Sequence, residues 1–240
     1  MTLSRRSVSI VAPVHQQQGH IAHVLRDMYG AILDLTDRLE FLVVINASTD
    51  GSADECRSLE SECPGIRVIE RTEPGWGGAV RAGVALATGE LICFTNTART
   101  TAHDLRTAVA LGLLNEGFAV KAVRRSRDKV LRRLGSVLYN LEVRALFDLA
   151  SWDVNGTPKI FPRSFDALSA LRDDGDLLDL EWLVTCKQRE YPLIEYPVTS
   201  VQRHGGRSTT GIPSALKMYR GAVSLRSRMA ITSDPSRQAR

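Results

Sequence analysis

The sequence predicts an α/β fold with a mostly parallel central sheet flanked by helices. Short apolar, β-branched runs alternate with helical patterns through the first half of the chain, in the order β-α-β-α-β-α-β. The length of 240 residues suits one large α/β domain or two small ones. Because no internal repeat or linker interrupts the chain, we favour a single domain.

The elements of the first half follow in order from their residues. Residues 7–12 are a short apolar, β-branched run, which predicts a buried strand. Residues 20–35 carry apolar side chains at helical spacing, and the acidic residues of 52–59 suit the first turn of a helix. Residues 78–87 predict a small-residue helix that a glycine ends. The other predicted elements of this half are strands at 41–45, 66–69, 91–95 and 118–123 and a helix at 104–114.

The second half of the chain is less regular. Its predicted elements are helices at 130–149 and 179–190 and strands at 157–161 and 193–198. The C-terminal segment is helical and amphipathic, with Leu216, Tyr219 and Val223 on one face and basic residues nearby. We therefore expect one domain over residues 1–212, followed by an amphipathic C-terminal helix and a loose tail over residues 213–240.

The composition is that of a soluble globular protein with a mild basic excess. A net charge of +4 suits an anionic ligand such as a nucleotide, a phosphate or an anionic membrane surface, and is too small to indicate nucleic acid. The apolar run near the N-terminus is too short for a signal peptide, and no stretch approaches the roughly 18 apolar residues that span a bilayer. The four cysteines lack Cys-x-x-Cys spacing, which predicts free thiols in a reducing cytosol. We expect a cytoplasmic protein, with peripheral contact at the inner face of the membrane as an alternative.

The predicted topology brings four loops to one edge of the sheet. In open, mainly parallel α/β sheets the ligand lies beyond the carboxyl ends of the strands. Residues 15–18, 46–51, 71–78 and 96–101 each follow a predicted strand, so we expect them around one crevice.

Several motifs resemble those of family 2 glycosyltransferases. The string VSIVAPVHQQ followed by FLVVINASTDGS is similar to the opening of that family, and EPGWGGAVRAGVALATGELICF is similar to its Gly-rich helix and next strand. WDVNGTPKIFPR resembles a later Asp-x-x-Gly strand, and EYPVTSVQRHGGRS resembles the closing loop of the polyprenyl-phosphate (dolichyl-phosphate mannose synthase-like) branch. The resemblance covers roughly residues 7–211. It implies a GT-A (nucleotide-diphospho-sugar transferase) Rossmann-like fold and inverting transfer of a sugar from a nucleotide-sugar donor.

The departures from the family's motifs concern its acidic residues. The metal-binding Asp-x-Asp falls on Asn96 and Ala98, and the next residue is Arg99. A divalent ion on a diphosphate prefers hard, charged oxygen ligands, whereas Asn96 offers one neutral carbonyl and Ala98 no side-chain oxygen. We therefore predict no metal site, and Mg²⁺ or Mn²⁺ would need other ligands in place of this pair. The family's Asn-Glu falls on Gln16 and Gln17, and its Asp-Asp on Ile45 and Asn46.

The donor-binding hypothesis centres on Arg99. We predict that its guanidinium, aided by Arg124 or Lys121, neutralises the donor diphosphate in place of a metal. The alternative is a solvated loop arginine in a site that has lost activity. Asp50 either binds donor or caps the next helix. The predicted donor-binding residues are Pro13, His15, Gln17, Asn46, Ser48, Asp50, Gly78, Arg81, Asn96 and Arg99, of which Gln17 and Asn46 either read a base or ribose or are satisfied loop residues.

The resemblance also implies residues for the acceptor side. By the resemblance, a carboxylate of Asp179 or Glu181 acts as general base or orients the acceptor, and a phosphate acceptor would need no base. Asp153 is a third catalytic candidate, with a role in the acceptor site. The alternatives are a favourable position in a helix dipole for the first two and a turn role for Asp153. The predicted phosphate- or acceptor-binding residues are Lys121, Arg124, Arg203, Arg207 and Ser208, with a solvated surface as their alternative. The basic run at 121–133 suits a lipid phosphate or an anionic membrane.

Three functions compete. The leading one is a glycosyltransferase that uses a nucleotide sugar and an acceptor for which a polyprenyl phosphate is one candidate. The second is a non-catalytic GT-A-like protein that binds a nucleotide or a partner, which the loss of the acidic pair favours. The third, a nucleotidyltransferase, would need a Gly-rich, Lys-bearing loop after the first strand, and the residues after Pro13 do not provide one.

Overall fold

The computed structural model describes residues 6–124, 130–165, 171–199, 204 and 212–232. Strands and helices alternate through most of this part of the chain. The strands are β1 (Val8–Val14), β2 (Leu39–Asn46), β3 (Ile66–Arg71), β4 (Leu91–Phe94), β5 (Ala119–Arg124), β6 (Lys159–Pro162) and β7 (Leu193–Val198). The helices are α1 (Ile21–Ile32), α2 (Ser52–Glu62), α3 (Trp76–Leu86), α4 (Ala102–Leu114), α5 (Val130–Phe147), α6 (Leu178–Gln188) and α7 (Ile212–Thr232).

The strands form one sheet in the order β3-β2-β1-β4-β6-β5-β7. β1 pairs in parallel with β2 and β4, β2 with β3, and β5 with β7, whereas β6 runs antiparallel to both of its neighbours. The predicted mostly parallel sheet is therefore confirmed. Because β6 is reversed, the turn that precedes it lies at the carboxyl edge of β4 and β5, beside the loops that follow those strands.

A hydrophobic layer covers each face of the sheet. Successive side chains of a strand point to opposite faces, so Ile10 and Val11 of β1 enter different layers. The layer that contains Ile10 packs under α1, α2 and α4, and the layer that contains Val11 packs under α3, α5, α6 and α7. This double coverage explains why the central strands are continuous apolar runs.

Helix α7 packs against α5. Ala222 and Leu225 are buried, and the hydroxyl of Tyr219 donates to the carbonyl of Gly135 at 2.9 Å. Val223, which lies one turn after Tyr219, is 51% exposed, so the packed face of α7 is centred on Ala222 and Leu225. The side chain of Leu216 lies outside the described residues.

The four cysteines are free and buried. Desolvation raises the pKa of Cys56 and of Cys186 to about 12, so these thiols stay protonated and unreactive at neutral pH.

Within the described part of the chain, no helix combines the length and the hydropathy that crossing a bilayer requires.

Candidate active site

The loops that follow β1 and β2 are locked together at the carboxyl edge of the sheet. Nδ1 of His15 donates to the carbonyl of Asn46 at 2.7 Å. The backbone amide of Gln16 donates to Oγ of Ser48 at 3.1 Å. Gln16 and Ala47 both hold left-handed backbone conformations, with φ of 51° and 50°. Non-glycine residues keep such conformations only where their surroundings fix them, and such positions concentrate at functional sites.

Asp50 fixes the start of α2 and the loop after β1. Its carboxylate accepts from the backbone amide of Gln18 at 3.0 Å, and from the amide and hydroxyl of Ser52 at 3.1 and 2.5 Å. Burial by itself would raise the pKa of Asp50, but these hydrogen bonds outweigh it and lower the pKa below its ordinary value. These contacts favour the capping interpretation of Asp50.

We expect Asp50→Ala to lower the free energy of unfolding by about 1–2 kcal/mol, because three donors lose their acceptor. Since the folded pKa is depressed, the contribution of Asp50 is present above its unfolded pKa of about 3.9 and is lost as pH falls through the folded pKa. The difference between wild type and variant should therefore shrink in acid. Urea unfolding at neutral and acidic pH measures it, with Asp54→Ala, an exposed carboxylate in the same helix turn, as the control. An equal loss in both variants would contradict the capping role.

Gln17 links β1 to β4 across the crevice. Its backbone amide donates to Oγ of Ser52 at 2.8 Å, and its Nε2 donates to Oγ1 of Thr97 at 2.7 Å. The Thr97 hydroxyl donates to the carbonyl of Pro13 at 3.0 Å. Gln17, Thr97 and Pro13 therefore form one chain of hydrogen bonds. Oε1 of Gln17 is buried and has no hydrogen-bond partner among the described residues. Buried polar atoms usually have a partner, so this oxygen is a candidate acceptor for a ligand or a water molecule.

Asn96 builds the turn that follows β4. Its Oδ1 accepts from the backbone amide of Ala98 at 3.0 Å, and its carbonyl accepts from the amides of Arg99 and Thr100 at 3.2 and 2.9 Å. Ala98 is buried under this turn. The side-chain oxygen of Asn96 is thus already engaged, and the described residues bring no three His, Cys, Asp or Glu side chains together as a metal-ligand group. The residues at this position do not fit a divalent ion.

A depression open to solvent lies beyond the carboxyl ends of β4, β5 and β7. Eight of its nine lining residues are polar, and they include two guanidinium groups and one carboxylate. The lining residues are Asn96, Arg99, Thr100, Asp104, Arg124, Asn155, Thr157, Val198 and Thr199. Two of the predicted phosphate-binding arginines, Arg99 and Arg124, therefore share one concave surface with Asn96.

Arg124 is held in the wall of the depression by Asp153. Nε and Nη2 of Arg124 donate to the Asp153 carboxylate at 2.7 and 2.5 Å, and the Arg124 backbone amide adds a bond at 3.0 Å. Burial by itself would lower the pKa of Arg124, but the bonds and charge of Asp153 raise it. Asp153 is 7% exposed and holds a left-handed conformation with φ of 54°. The predicted base Asp153 is therefore engaged by an arginine.

Two lysines lie beneath the depression on β5 and β6. Nζ of Lys121 donates to the carbonyl of Trp152 at 2.7 Å and pairs with Glu195 at 3.0 Å. Lys159, which faces Lys121 across the two strands, is fully buried and pairs with Asp179. Burial lowers the pKa of both lysines, and the paired carboxylates oppose that shift. Lys121, predicted to bind phosphate, thus contacts the protein interior and does not line the depression.

Asp179 is held from two sides. Besides the pair with Lys159, its Oδ2 accepts from the indole Nε1 of Trp76 at 3.0 Å. Lys159 also lies over the rings of Phe94 and Trp182, at 5.4 and 5.8 Å from their centroids. Asp179 is 4% exposed, so it would act as a base only if Lys159 and Trp76 moved away from its carboxylate.

The amino-terminal end of α3 is covered by the loop before α6. The backbone amide of Gly78 donates to the carbonyl of Asp174 at 2.9 Å, and Nη1 of Arg81 contacts the Asp174 carboxylate at 2.7 Å. A Cβ on Gly77 would lie 2.2 Å from the carbonyl oxygen of Asp173, so this approach requires glycine. Gly78 and Arg81, both predicted to bind donor, therefore contact this loop.

Glu181 and Asn46, both predicted site residues, hold the loop before α6 and the start of α3 in place. Oε2 of Glu181 accepts from the backbone amides of Arg172 and Asp173 at 2.8 and 2.9 Å. Oδ1 of Asn46 accepts from the amide of Gly75 at 3.1 Å, just before α3. The bonds of Glu181 and Asn46 are thus bonds to the protein backbone.

Three residues of the site were not predicted as site residues from the sequence: Trp76, Asn155 and Lys159. For Lys159 a signal was available, because a lysine in an otherwise apolar strand indicates a buried charge pair. Of the closing loop, His204 is described, and its backbone amide donates to the carbonyl of Ala98 at 3.0 Å. The predicted phosphate-binding residues that lie outside the described residues are Arg203, Arg207 and Ser208.

Sequence comparison identifies relatives over most of the chain. Residues 9–97 match the family described as Glycosyl transferase family 2. The undecaprenyl-phosphate 4-deoxy-4-formamido-L-arabinose transferase of Pseudomonas fluorescens (strain Pf0-1) is 28% identical over 207 residues, which cover 84% of this chain and 59% of that protein. The transferase of the same name from Pseudomonas syringae pv. syringae (strain B728a) is 27% identical over 172 residues, which cover 69% of this chain and 50% of that protein. The chain thus spans between half and three-fifths of the length of these relatives.

Solved structures share the fold. Glucosyl-3-phosphoglycerate synthase from Mycobacterium tuberculosis, in complex with phosphoglyceric acid, has a TM-score of 0.72 at 19% identity, covering 93% of this chain and 80% of that chain. The same enzyme in complex with Mn²⁺, UDP-glucose and phosphoglyceric acid has a TM-score of 0.70 at 19% identity, covering 93% and 79%. The chain has the GT-A fold, and the match over residues 9–97 together with the curated relatives confirms its resemblance to the family 2 glycosyltransferases of the polyprenyl-phosphate branch.

Proposed function

We propose that this protein transfers a sugar from a nucleotide-sugar donor to an acceptor, with Arg99 and Arg124 neutralising the donor diphosphate. The observation that carries the proposal is that both guanidinium groups line one depression at the carboxyl edge of the sheet, beside Asn96. A guanidinium forms paired, charge-assisted hydrogen bonds to phosphate oxygens and stays charged at any physiological pH. It stabilises the leaving nucleoside diphosphate as negative charge develops on it.

The nucleoside end of the donor would occupy the crevice beyond β1 and β2. His15 and Ser48 order its loops, and Gln17 offers a buried oxygen that needs a donor, such as an N–H group of a base. The structural relative was solved with UDP-glucose, which makes a uridine nucleotide the first donor to test.

A phosphate-bearing acceptor is favoured because the carboxylates of the site are already engaged. Asp153, Asp179 and Glu181 are each held by an arginine, a lysine or backbone amides. An ionised phosphate attacks without a general base, whereas a hydroxyl acceptor requires one. The curated relatives are named for undecaprenyl phosphate, so a polyprenyl phosphate is the acceptor to test first. We further propose inversion at the sugar carbon, as the family resemblance implies, and contact with an anionic membrane where such an acceptor resides.

Because the three carboxylates are engaged in contacts within the protein, none is free to act as a base. This also favours a second candidate, a non-catalytic protein that binds a nucleotide or a partner. Ligand binding alone does not distinguish the two candidates. Release of free sugar from the donor, or transfer of radiolabelled sugar to undecaprenyl phosphate, occurs only with the enzyme.

We expect a nucleoside diphosphate to raise the melting temperature equally in Mn²⁺ and in EDTA, because arginines replace the metal and a ligand of the folded state stabilises it by mass action. Thermal unfolding with a panel of nucleoside diphosphates and their sugars, each with and without Mn²⁺, measures this effect. Stabilisation only in the presence of Mn²⁺ would overturn the arginine mechanism. If no nucleotide stabilises the protein, the proposed transferase function itself fails.

A further inference from the structure

Asn155 lines the depression together with Arg99 and Arg124 but has no role in the diphosphate contacts proposed above. Its Oδ1 is buried and has no hydrogen-bond partner among the described residues. Buried polar atoms in folded proteins are almost always satisfied, so an exception in the wall of an open depression points to a group that a ligand supplies.

The turn that carries Asn155 is fixed on three sides. The preceding Asp153 is bound to Arg124, and the backbone amide of Val154 donates to Oδ1 of Asn140 at 3.1 Å. The following Gly156 approaches β5 so closely that a Cβ would lie 2.0 Å from the carbonyl oxygen of Ala122. A side chain on a turn held in this way is preorganised, because its backbone position is fixed.

The chemistry of the missing partner identifies it. Oδ1 of an asparagine only accepts, so the ligand must present an O–H or N–H group there. An ionised diphosphate held by Arg99 and Arg124 consists of acceptor oxygens. A nucleotide sugar joins two hydroxyl-bearing rings to that diphosphate, the ribose and the transferred sugar. Because the nucleoside is proposed to lie beyond β1 and β2, the transferred sugar is the ring that remains at the depression.

We propose that Asn155 reads a hydroxyl of the donor sugar and so determines which sugar the protein accepts. This inference rests on the proposed function, because it requires the diphosphate at Arg99 and Arg124. Thr157 and Thr199 also line the depression and provide further hydroxyl groups around the same ring. A site that hydrogen-bonds a substrate hydroxyl rejects an analogue without it, because its own buried group is then left unpaired.

The test separates the sugar contribution from the diphosphate contribution. Isothermal titration gives the Kd of UDP and of UDP-glucose for the wild-type protein and for Asn155→Leu; other nucleoside diphosphates and their glucose derivatives replace them if the thermal panel selects another base. We expect Asn155→Leu to weaken the nucleotide sugar about tenfold relative to the nucleoside diphosphate, whose own Kd changes less than about twofold. Asn155→Ser, which keeps a smaller acceptor oxygen, should show an intermediate ratio. Asn115→Leu, the same substitution at a partly buried cap of α4, should leave both affinities unchanged.

Several outcomes would overturn the inference. An unchanged ratio in Asn155→Leu means that a water molecule or an acceptor hydroxyl satisfies Oδ1 instead of the donor sugar. An equal loss for the nucleotide and the nucleotide sugar means that Asn155 supports the turn or contacts the nucleoside, and not the donor sugar. In both cases nucleoside diphosphate binding by the wild type persists and the proposed function stands, whereas loss of all nucleotide binding by the wild type would remove that function as well.

Discussion

Arg99→Ala should lower the affinity for a nucleoside diphosphate by about 100-fold or more. Arg99 lines the depression at the point where the family's metal-binding pair is replaced by Asn96 and Ala98. Loss of two charge-assisted hydrogen bonds costs about 3 kcal/mol or more, which corresponds to a factor of at least about 100 in Kd. Isothermal titration in EDTA measures the loss without any contribution of a metal ion.

Two variants make the Arg99 result specific. Arg99→Lys keeps the positive charge but loses the planar fork, so we expect it to recover only part of the affinity. Arg26→Ala removes an exposed arginine that pairs with Glu62 far from the depression, and it should bind as the wild type does. Undiminished affinity in Arg99→Ala would place the diphosphate elsewhere and would favour Arg99 as a solvated loop residue.

Lys159→Met should lower the free energy of unfolding by about 3–5 kcal/mol, the usual cost of leaving one partner of a buried ion pair uncompensated. Lys159 is fully buried, and the side chain of its partner Asp179 is 6% exposed, so water cannot solvate the remaining carboxylate. Methionine has a similar length, so the loss of charge dominates the effect of volume. Urea unfolding at neutral pH measures the change.

The double variant Lys159→Met/Asp179→Leu distinguishes charge from packing. Because it leaves no unpaired charge at the position, we expect it to regain part of the stability that Lys159→Met loses; the indole N–H of Trp76 then lacks its acceptor, which limits the recovery. A surface pair provides the comparison: Arg26→Ala breaks a contact between half-exposed side chains and should cost less than about 1 kcal/mol. If the double variant is no more stable than Lys159→Met, then the aromatic packing of Lys159 against Phe94 and Trp182 matters more than the ion pair.

The local pattern was enough to predict most elements but not their arrangement. Helical spacing and β-branched runs located α1, β1 and β2 within a few residues of their observed bounds, because periodicity reports burial on one face or both. The direction of β6 was not predictable from its residues, since an apolar strand of this length fits a parallel or an antiparallel position equally well. This reversal brings Asn155 to the depression, and no spacing rule pointed to that residue.

The sequence by itself determined the fold class, the edge of the sheet at which we expect a ligand, and the loss of the acidic pair at Asn96 and Ala98. These are properties of local periodicity and of residue identity, which need no knowledge of distant contacts. Only the tertiary structure decided what each charged group does. Asp179 contacts Trp76, which lies 103 positions earlier in the chain, and Lys121 contacts Glu195 on another strand. Such partners depend on strand order and direction, and these are set by how the whole chain buries its apolar surface.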